Sequence, residues 1–308
     1  MGERLAVRIP IEGDELDAWW YAPEGVDGPA PCAVLAHGFG GVKEMRLSAY
    51  AERFAAAGFG ALVFDYRHFG ASSGRPRNLL DLRLQLADWK AAVAAARARP
   101  EVDPDRVAVW GSSFSGGSVV LVAAADPKIA AVVSQAPLAD GRAALIHMLK
   151  KSAGHVLALG TAGVLDALRA HLGRKPYMLD AVGRPGDRRA VLTTPDAYDG
   201  MLSLLPPGLP FDNEVTARVI MTLPFFRAVK AAPRMTCPLL VQVMDHDDIT
   251  PPGPGAALAA AAAYGELLVY PGTHFDPYVG TGFDRVVPDQ IAFLTRTLRP
   301  RDIGGAAR

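Results

Sequence analysis

The stretch VAVWGSSFSGG, residues 107–117, runs into the apolar segment Ser118–Ala125 and reads as a buried strand, a sharp turn and a helix. The four consecutive apolar residues Val107–Trp110 suit a strand covered on both faces. A residue at the tip of such a turn takes a strained backbone angle, so its side chain projects above the sheet. Centred on Ser113, the positions two before and two after are Gly111 and Ser115. Both are small, as the close approach of strand and helix requires. The G-x-S-x-G spacing is therefore met with Ser115 in place of the second glycine and with Gly116 and Gly117 displaced by one. Ser112 and Ser115 compete for the tip, but Ser115 lies too deep in the helix. Ser113 is the candidate nucleophile, and the helix start beneath it offers backbone N–H groups and a positive dipole end.

Outward from this turn the chain alternates strand and helix. Leu5–Ile9 and Leu16–Tyr21 flank the turn Glu12-Gly13-Asp14 as a hairpin. Ala33–Ala36, Ala61–Phe64, Ile129–Ser134, Leu239–Met244 and Glu266–Tyr270 read as further strands. Helices are expected over Met45–Ala57, Leu79–Arg99 and Gln290–Leu298. This pattern predicts an α/β fold with a mostly parallel, eight-stranded sheet and helices on both faces. The alternation stops between Pro137 and Pro238, where no strand-like run occurs. Helical stretches are expected there over Arg142–Leu159, Thr161–Leu172, Asp196–Leu205 and Glu214–Lys230. Such an excursion far exceeds an ordinary connection. Residues 138–237 are thus expected to form an α-helical cap inserted into a core made of 1–137 and 238–308.

Composition narrows the function classes. Lys and Arg number 32 against 32 Asp and Glu, so no basic excess exists to neutralise nucleic-acid phosphates. With half the residues hydrophobic, the chain is not a disordered one. The insertion carries a small basic excess and the remainder a matching acidic one. Cys32 and Cys237 each head an apolar run and are expected as core residues, not as a disulfide framework. The N-terminal MGERLAVRIPIEGDEL is charged where a signal peptide is apolar, and the apolar runs are too short for a membrane span. A cytoplasmic location follows as the expectation, with a homodimer left open.

A serine hydroxyl needs a base, and the base needs an orienting acid. Both belong on loops at the carboxyl ends of later strands. The strand Leu239–Met244 leads into Asp245-His246-Asp247-Asp248-Ile249-Thr250-Pro251-Pro252, and Glu266–Tyr270 into Pro271-Gly272-Thr273-His274-Phe275-Asp276. His274 is the candidate base. His147, His155 and His171 fall in the insertion and read as surface or packing residues, His68 as a turn residue, and His246 stands too close to the acid. Asp247 is the candidate acid, with Asp245 finishing the strand and Asp248 facing solvent. The same string holds metal-ligand types, but consecutive residues of one turn do not converge on an ion, so no metal is expected. His37-Gly38-Phe39-Gly40-Gly41 follows the strand Ala33–Ala36, and its glycines allow a close approach to substrate. The backbone N–H groups of Phe39 and Phe114 are the candidate donors to a developing oxyanion. His37 and Gly38 are candidate substrate contacts. No G-K-[ST] or G-x-G-x-x-G supports a phosphate or dinucleotide loop, and no cofactor is expected.

These motifs together resemble the α/β-hydrolases. HGFGG is similar to their oxyanion loop, and DYRHFGASSG (65–74) to the D-x-R-x-x-G-x-S-x-G stretch after their fourth strand. GSSFSGG resembles the elbow of dienelactone-hydrolase-like esterases and X-Pro dipeptidyl-peptidase-like members, and MDHDDITPP and GTHFD resemble the acid and base loops. The match covers residues 1–137 and 238–300 in order. It implies hydrolysis of carboxylic esters of small to medium, fairly apolar character through an acyl-enzyme. Ser113 would attack, His274 shuttle the proton and Asp247 hold the imidazole. Where the insertion falls, many family members carry a helical cap. Its Met148, Met221 and Phe225 are candidate pocket residues, and Met201 and Phe226 share its apolar character. A peptidase or amidase of Xaa-Pro type, a thioesterase, and a non-catalytic ligand receptor are the alternatives. Peptidase action on a free N-terminus would call for an acidic anchor, for which the insertion offers Asp196, Asp199, Asp212 and Glu214.

Overall fold

The computed structural model describes residues 4–298. In the first part of the chain β1 (Arg4–Ile11), β2 (Asp14–Tyr21) and β3 (Ala30–Ala36) lead to α1 (Leu47–Ala56) and β4 (Gly60–Phe64). Then come α2 (Leu82–Arg97), β5 (Val102–Ser112), α3 (Phe114–Ala125) and β6 (Ala131–Gln135). After a long excursion the chain returns as β10 (Leu239–Met244), α9 (Pro252–Ala261), β11 (Gly265–Tyr270) and α10 (Gly280–Thr297). Eight of these strands form one sheet in the order β1-β2-β4-β3-β5-β6-β10-β11. β1 and β2 are antiparallel, β2 meets β4 antiparallel, and all other neighbours are parallel. This is the predicted α/β-hydrolase architecture.

The central strands are largely apolar, without alternation, because both faces are covered. All residues of β4, β6 and β10 are buried. One face carries α2, α3 and α9, which bring Trp89, Val119 and Leu258 to the core. The other carries α1 and α10, which bring Tyr50, Phe54 and Phe293. Three buried glutamines cross-link the centre: Gln290 Nε2 donates to Gln135 Oε1 (2.9 Å) and to Gln242 Oε1 (2.7 Å). Helix α2 begins where Asp81 accepts from the backbone N–H of Arg83 at 2.8 Å. Helix α10 starts ten residues earlier than expected and runs through Pro288.

Between β6 and β10 the chain forms α4 (Gly141–Lys151), α5 (Ala153–His171), β7 (Met178–Val182), β8 (Ala190–Leu192), α6 (Ala197–Ser203), β9 (Glu214–Thr216), α7 (Val219–Thr222) and α8 (Ala228–Ala231). Three expectations are corrected here. The segment is not free of strands: β7, β8 and β9 make a separate sheet in the order β8-β7-β9. These strands have three to five residues, too short for alternation to register in sequence. The expected helix over Glu214–Lys230 is instead a strand and three short helical turns: α7, a 3-10 turn over Leu223–Phe225 that holds Pro224, and α8, with the chain extended at Phe226 and Arg227 between the last two. The break between the first two helices also moves, from Gly160 to Ser152, whose hydroxyl accepts the His155 N–H at 3.2 Å. No helix among the described residues is long and apolar enough to cross a membrane.

Candidate active site

Ser113 stands between β5 and α3 with φ 57° and ψ −121°, a positive-φ conformation that costs a non-glycine residue about 1–3 kcal/mol. It persists because its surroundings hold it. Its N–H donates to Gln135 O (2.9 Å) and its carbonyl accepts from Leu138 N (2.8 Å). A Cβ on Gly111 would lie 2.3 Å from the carbonyl oxygen of Ser115, so the strand-to-helix crossing admits only glycine there. Ser115 replaces the second glycine of the motif without loss, since its buried hydroxyl is hydrogen-bonded to Tyr66 Oη at 2.8 Å. Ser112 is fully buried as well, and Gln135 Nε2 donates to its hydroxyl at 3.1 Å. Neither competitor reaches solvent.

The loops after β10 and β11 bring Asp247 and His274 to the same point. His274 Nε2 lies 3.0 Å from Ser113 Oγ, and His274 Nδ1 lies 2.6 Å from Asp247 Oδ2. With a carboxylate at that distance the proton belongs on Nδ1, which leaves Nε2 free to accept from the serine hydroxyl. Asp247 is itself held. Its Oδ1 accepts from the N–H groups of Ile249 (2.9 Å) and Thr250 (2.7 Å), and its Oδ2 accepts from Thr250 Oγ1 (2.7 Å). Thr250 Oγ1 also stands 3.1 Å from His274 Nδ1. Thr250 was not singled out in sequence, although a hydroxyl three residues past an acidic turn is a signal for such a bond.

Phe39 and Phe114 flank Ser113, and among the described residues neither backbone N–H donates to another group. They are available to a negatively charged oxygen. The Phe39 and Phe114 rings meet edge to face at 6.4 Å, and Phe114 stacks on Phe226 at 4.7 Å. The loop that carries Phe39 is tied down from two sides. Lys43 N donates to Asp65 Oδ1 (2.7 Å), and buried Lys43 Nζ lies 2.7 Å from Asp65 Oδ2 and 2.6 Å from Asp17 Oδ2. Gly40, at φ 66°, is pressed by the small sheet: a Cβ there would fall 2.8 Å from the Ala181 methyl group. His37 is buried with its Nδ1 on Gly38 O at 3.0 Å, and burial pushes its pKa down to about 4, so it is neutral.

A cavity of about 720 Å³ opens from Ser113 under the insertion, with Phe114, Leu145, Met148, Leu159, Val191 and Leu223 in its wall. A second recess of about 30 Å³ lies on the other side of Ser113, beside His274, and includes His37 and Gly38. Of the expected pocket residues, Met148 lines the cavity, whereas Met221 and Phe225 do not. Phe225 is 76% exposed, and Met221 packs toward Gly163. Their neighbours Ile220, Leu223 and Pro224 face the cavity instead. Apolar character was legible in this segment, but which of its apolar residues face the cavity is set by how the short turns Val219–Thr222 and Leu223–Phe225 pack. Asp248 does not simply face solvent. It pairs with His147 Nε2 at 3.1 Å and with Lys151 Nζ, both on α4. Partial burial opposes its charge, yet these two partners hold its carboxyl below the usual range. The four acids considered as a peptide anchor, Asp196, Asp199, Asp212 and Glu214, lie outside the cavity wall. Asp199 pairs with Arg184 and Asp212 with Asn78. His246 is exposed and paired with Asp245, away from Ser113.

The arrangement is suited to acyl transfer: a poised hydroxyl, an oriented imidazole, two free N–H groups and an apolar chamber. A family model for X-Pro dipeptidyl-peptidase (S15 family) matches residues 12–176. The quorum-quenching protein AidA of Acinetobacter baumannii (strain MDR-ZJ06) is 41% identical over 292 residues, covering 95% of this chain and 94% of that protein. A thiohydrolase of Eupenicillium brefeldianum is 30% identical over 228 residues, covering 67% and 73%. The crystal structure of the α/β-hydrolase GrgF from Penicillium sp. sh18 superposes with a TM-score of 0.78 at 22% identity, covering 96% and 99%. At that identity the last comparison speaks for the fold.

Proposed function

The chain belongs to the X-Pro dipeptidyl-peptidase (S15) family of α/β-hydrolases, and from that premise we propose that it cleaves carboxylic esters of small to medium, apolar substrates by way of an acyl-enzyme on Ser113. The observation that carries this reading is the relay Ser113 Oγ–His274 Nε2 (3.0 Å) and His274 Nδ1–Asp247 Oδ2 (2.6 Å) at the mouth of an apolar cavity. Ser113 Oγ attacks the carbonyl carbon as its proton passes to His274 Nε2. The carbonyl oxygen becomes an oxyanion facing the Phe39 and Phe114 N–H groups. The bond to the leaving oxygen then breaks, and that oxygen takes the proton from His274. A water molecule repeats the sequence on the acyl-enzyme: its proton goes to His274 and then to Ser113 Oγ as the acid departs. Residues 1–137 and 238–308 serve as the catalytic core and 138–237 as the cap, a division supported by the two separate sheets.

Ser113→Ala is expected to lower hydrolysis of p-nitrophenyl butyrate by about 10³-fold or more with the fold intact by circular dichroism. Turnover retained in that variant would sink the reading. A second reading, hydrolysis of thioesters on the same residues, is favoured by the relative named a thiohydrolase. Matched oxygen and sulfur esters of one acid separate the two. Xaa-Pro peptidase action on the same residues is a third reading, in keeping with the family model: the four acids first considered as an anchor lie outside the cavity wall, but Asp187 and Asp248 line it, and turnover of Xaa-Pro-anilides tests it. Pairing into a homodimer through the cap is supported by the exposed row Leu157, Val164, Leu165 and Leu168 on α5, continued by Leu172 just past its end. A cytoplasmic location accords with two buried, free cysteines whose thiol pKa values burial raises to about 12 (Cys32) and about 11 (Cys237).

A further inference from the structure

We infer that the site selects esters of a bulky apolar acid with a short alcohol, an assignment that rests on the ester-hydrolase reading above. Ser113 sits at the junction of two very unequal recesses. The large one, about 720 Å³, is within the size range of ligand pockets. The small one, about 30 Å³, is a small fraction of that. Ser113, Phe39 and Leu192 border both. His274 borders only the small one.

Proton transfer decides which part of the substrate goes where. The leaving oxygen must take its proton from His274 Nε2, so it departs on the His274 side. The carbonyl oxygen is committed to the Phe39 and Phe114 N–H groups. The acyl chain is left with the remaining direction, the large cavity. The alcohol is left with a crevice walled by Met45, Met201, Leu204, Phe275 and Tyr278, all nearly fully buried. That wall is tight. A Cβ on Gly200 of α6 would fall 2.2 Å from the Phe275 ring, so α6 is seated directly on the residue after His274. A methyl or ethyl group fits there, and a longer chain has to displace α6.

The test uses two isomers with the same atoms and similar hydrophobicity, methyl octanoate and heptyl acetate. Their kcat/KM values are compared on the intact protein. Methyl octanoate is expected to be favoured by about tenfold or more, equivalent to about 1.4 kcal/mol, since its long chain is seated in the large apolar cavity and that of heptyl acetate is not. Equal or reversed preference, with both esters turned over, would overturn the inference and leave the ester-hydrolase reading standing. Turnover of neither would overturn that reading, and the inference with it. Two variants probe the recesses from opposite sides. Leu204→Ala, which widens the crevice, is expected to raise heptyl acetate turnover and narrow the ratio several-fold. Leu145→Trp, which fills the cavity, is expected to depress methyl octanoate selectively. Parallel changes for both esters in both variants would indicate a purely structural role for these walls and overturn the assignment.

Discussion

Thr250 shows how much of the site rests on one unremarked side chain. Its hydroxyl has a single proton and three neighbours within reach: Asp247 Oδ2, Ala136 O and His274 Nδ1. It fixes the carboxylate that fixes the imidazole. A hydrogen bond to a charged group is worth about 1.5–3 kcal/mol. Thr250→Val is therefore expected to lower kcat about tenfold to hundredfold with KM little changed, and Thr250→Ser to restore most of it; steady-state kinetics of the three forms check this. His37 makes a second prediction at this scale. Its folded pKa near 4 lies below the unfolded value of about 6.5, so the folded state binds fewer protons between them. The stabilisation is whole above about pH 6.5 and is lost as pH falls through the folded value. Its size is on the order of 3 kcal/mol. Denaturant midpoints measured from neutral pH to about pH 4 should decline less steeply in His37→Asn than in the natural protein. Identical slopes would mean that other groups control acid stability.

Among the elements, the small sheet β8-β7-β9 has the most direct bearing on chemistry. It presses on the loop that carries the Phe39 N–H, with Ala181 and Val215 against Gly40. Thr216 N on β9 also donates to Asn78 O (3.0 Å), which ties this sheet to the core. Gly40→Ala would add a methyl group against Ala181 at a positive φ, and the loop would have to move. Loss of one oxyanion donor costs about 2.7–4 kcal/mol. The variant is accordingly expected to lose about 10²-fold in kcat while binding of an unreactive substrate analogue changes little. An unaltered kcat would show that the Phe39 amide is not needed. The eight-stranded sheet was legible in sequence because its buried strands are largely apolar runs between turn residues. The small sheet was not, since its strands are held by long-range pairing such as Leu179 with Val215. Likewise, Gly160 suggested a helix break that the packing of α5 overrides, at a local cost of about 1 kcal/mol relative to alanine.

For the whole molecule, the insertion roofs the cavity, and its outer surface carries an exposed apolar row. The row Leu157, Val164, Leu165 and Leu168 lies along α5 at helical spacing, with Leu172 just past its end, exposed and opposite the face that packs inward. If two copies pair there, sedimentation of the natural protein gives a dimer and the double variant Leu165→Glu, Leu168→Glu gives a monomer. A monomer in both would leave this face without a partner copy. The local chemistry of the chain alone determined the strand-turn-helix at Ser113, the order Ser113, Asp247, His274 and the place of the insertion, because each depends on neighbours in sequence: apolar runs, small residues at a crossing, loops at strand ends. Only the tertiary structure decided that Thr250 holds Asp247, that Ile220 and Leu223 line the cavity in place of Met221 and Phe225, and that Ser113 has a large recess on one side and a narrow one on the other. Those outcomes depend on which faces meet when segments far apart in the chain pack together, and no local pattern encodes that rotation or spacing.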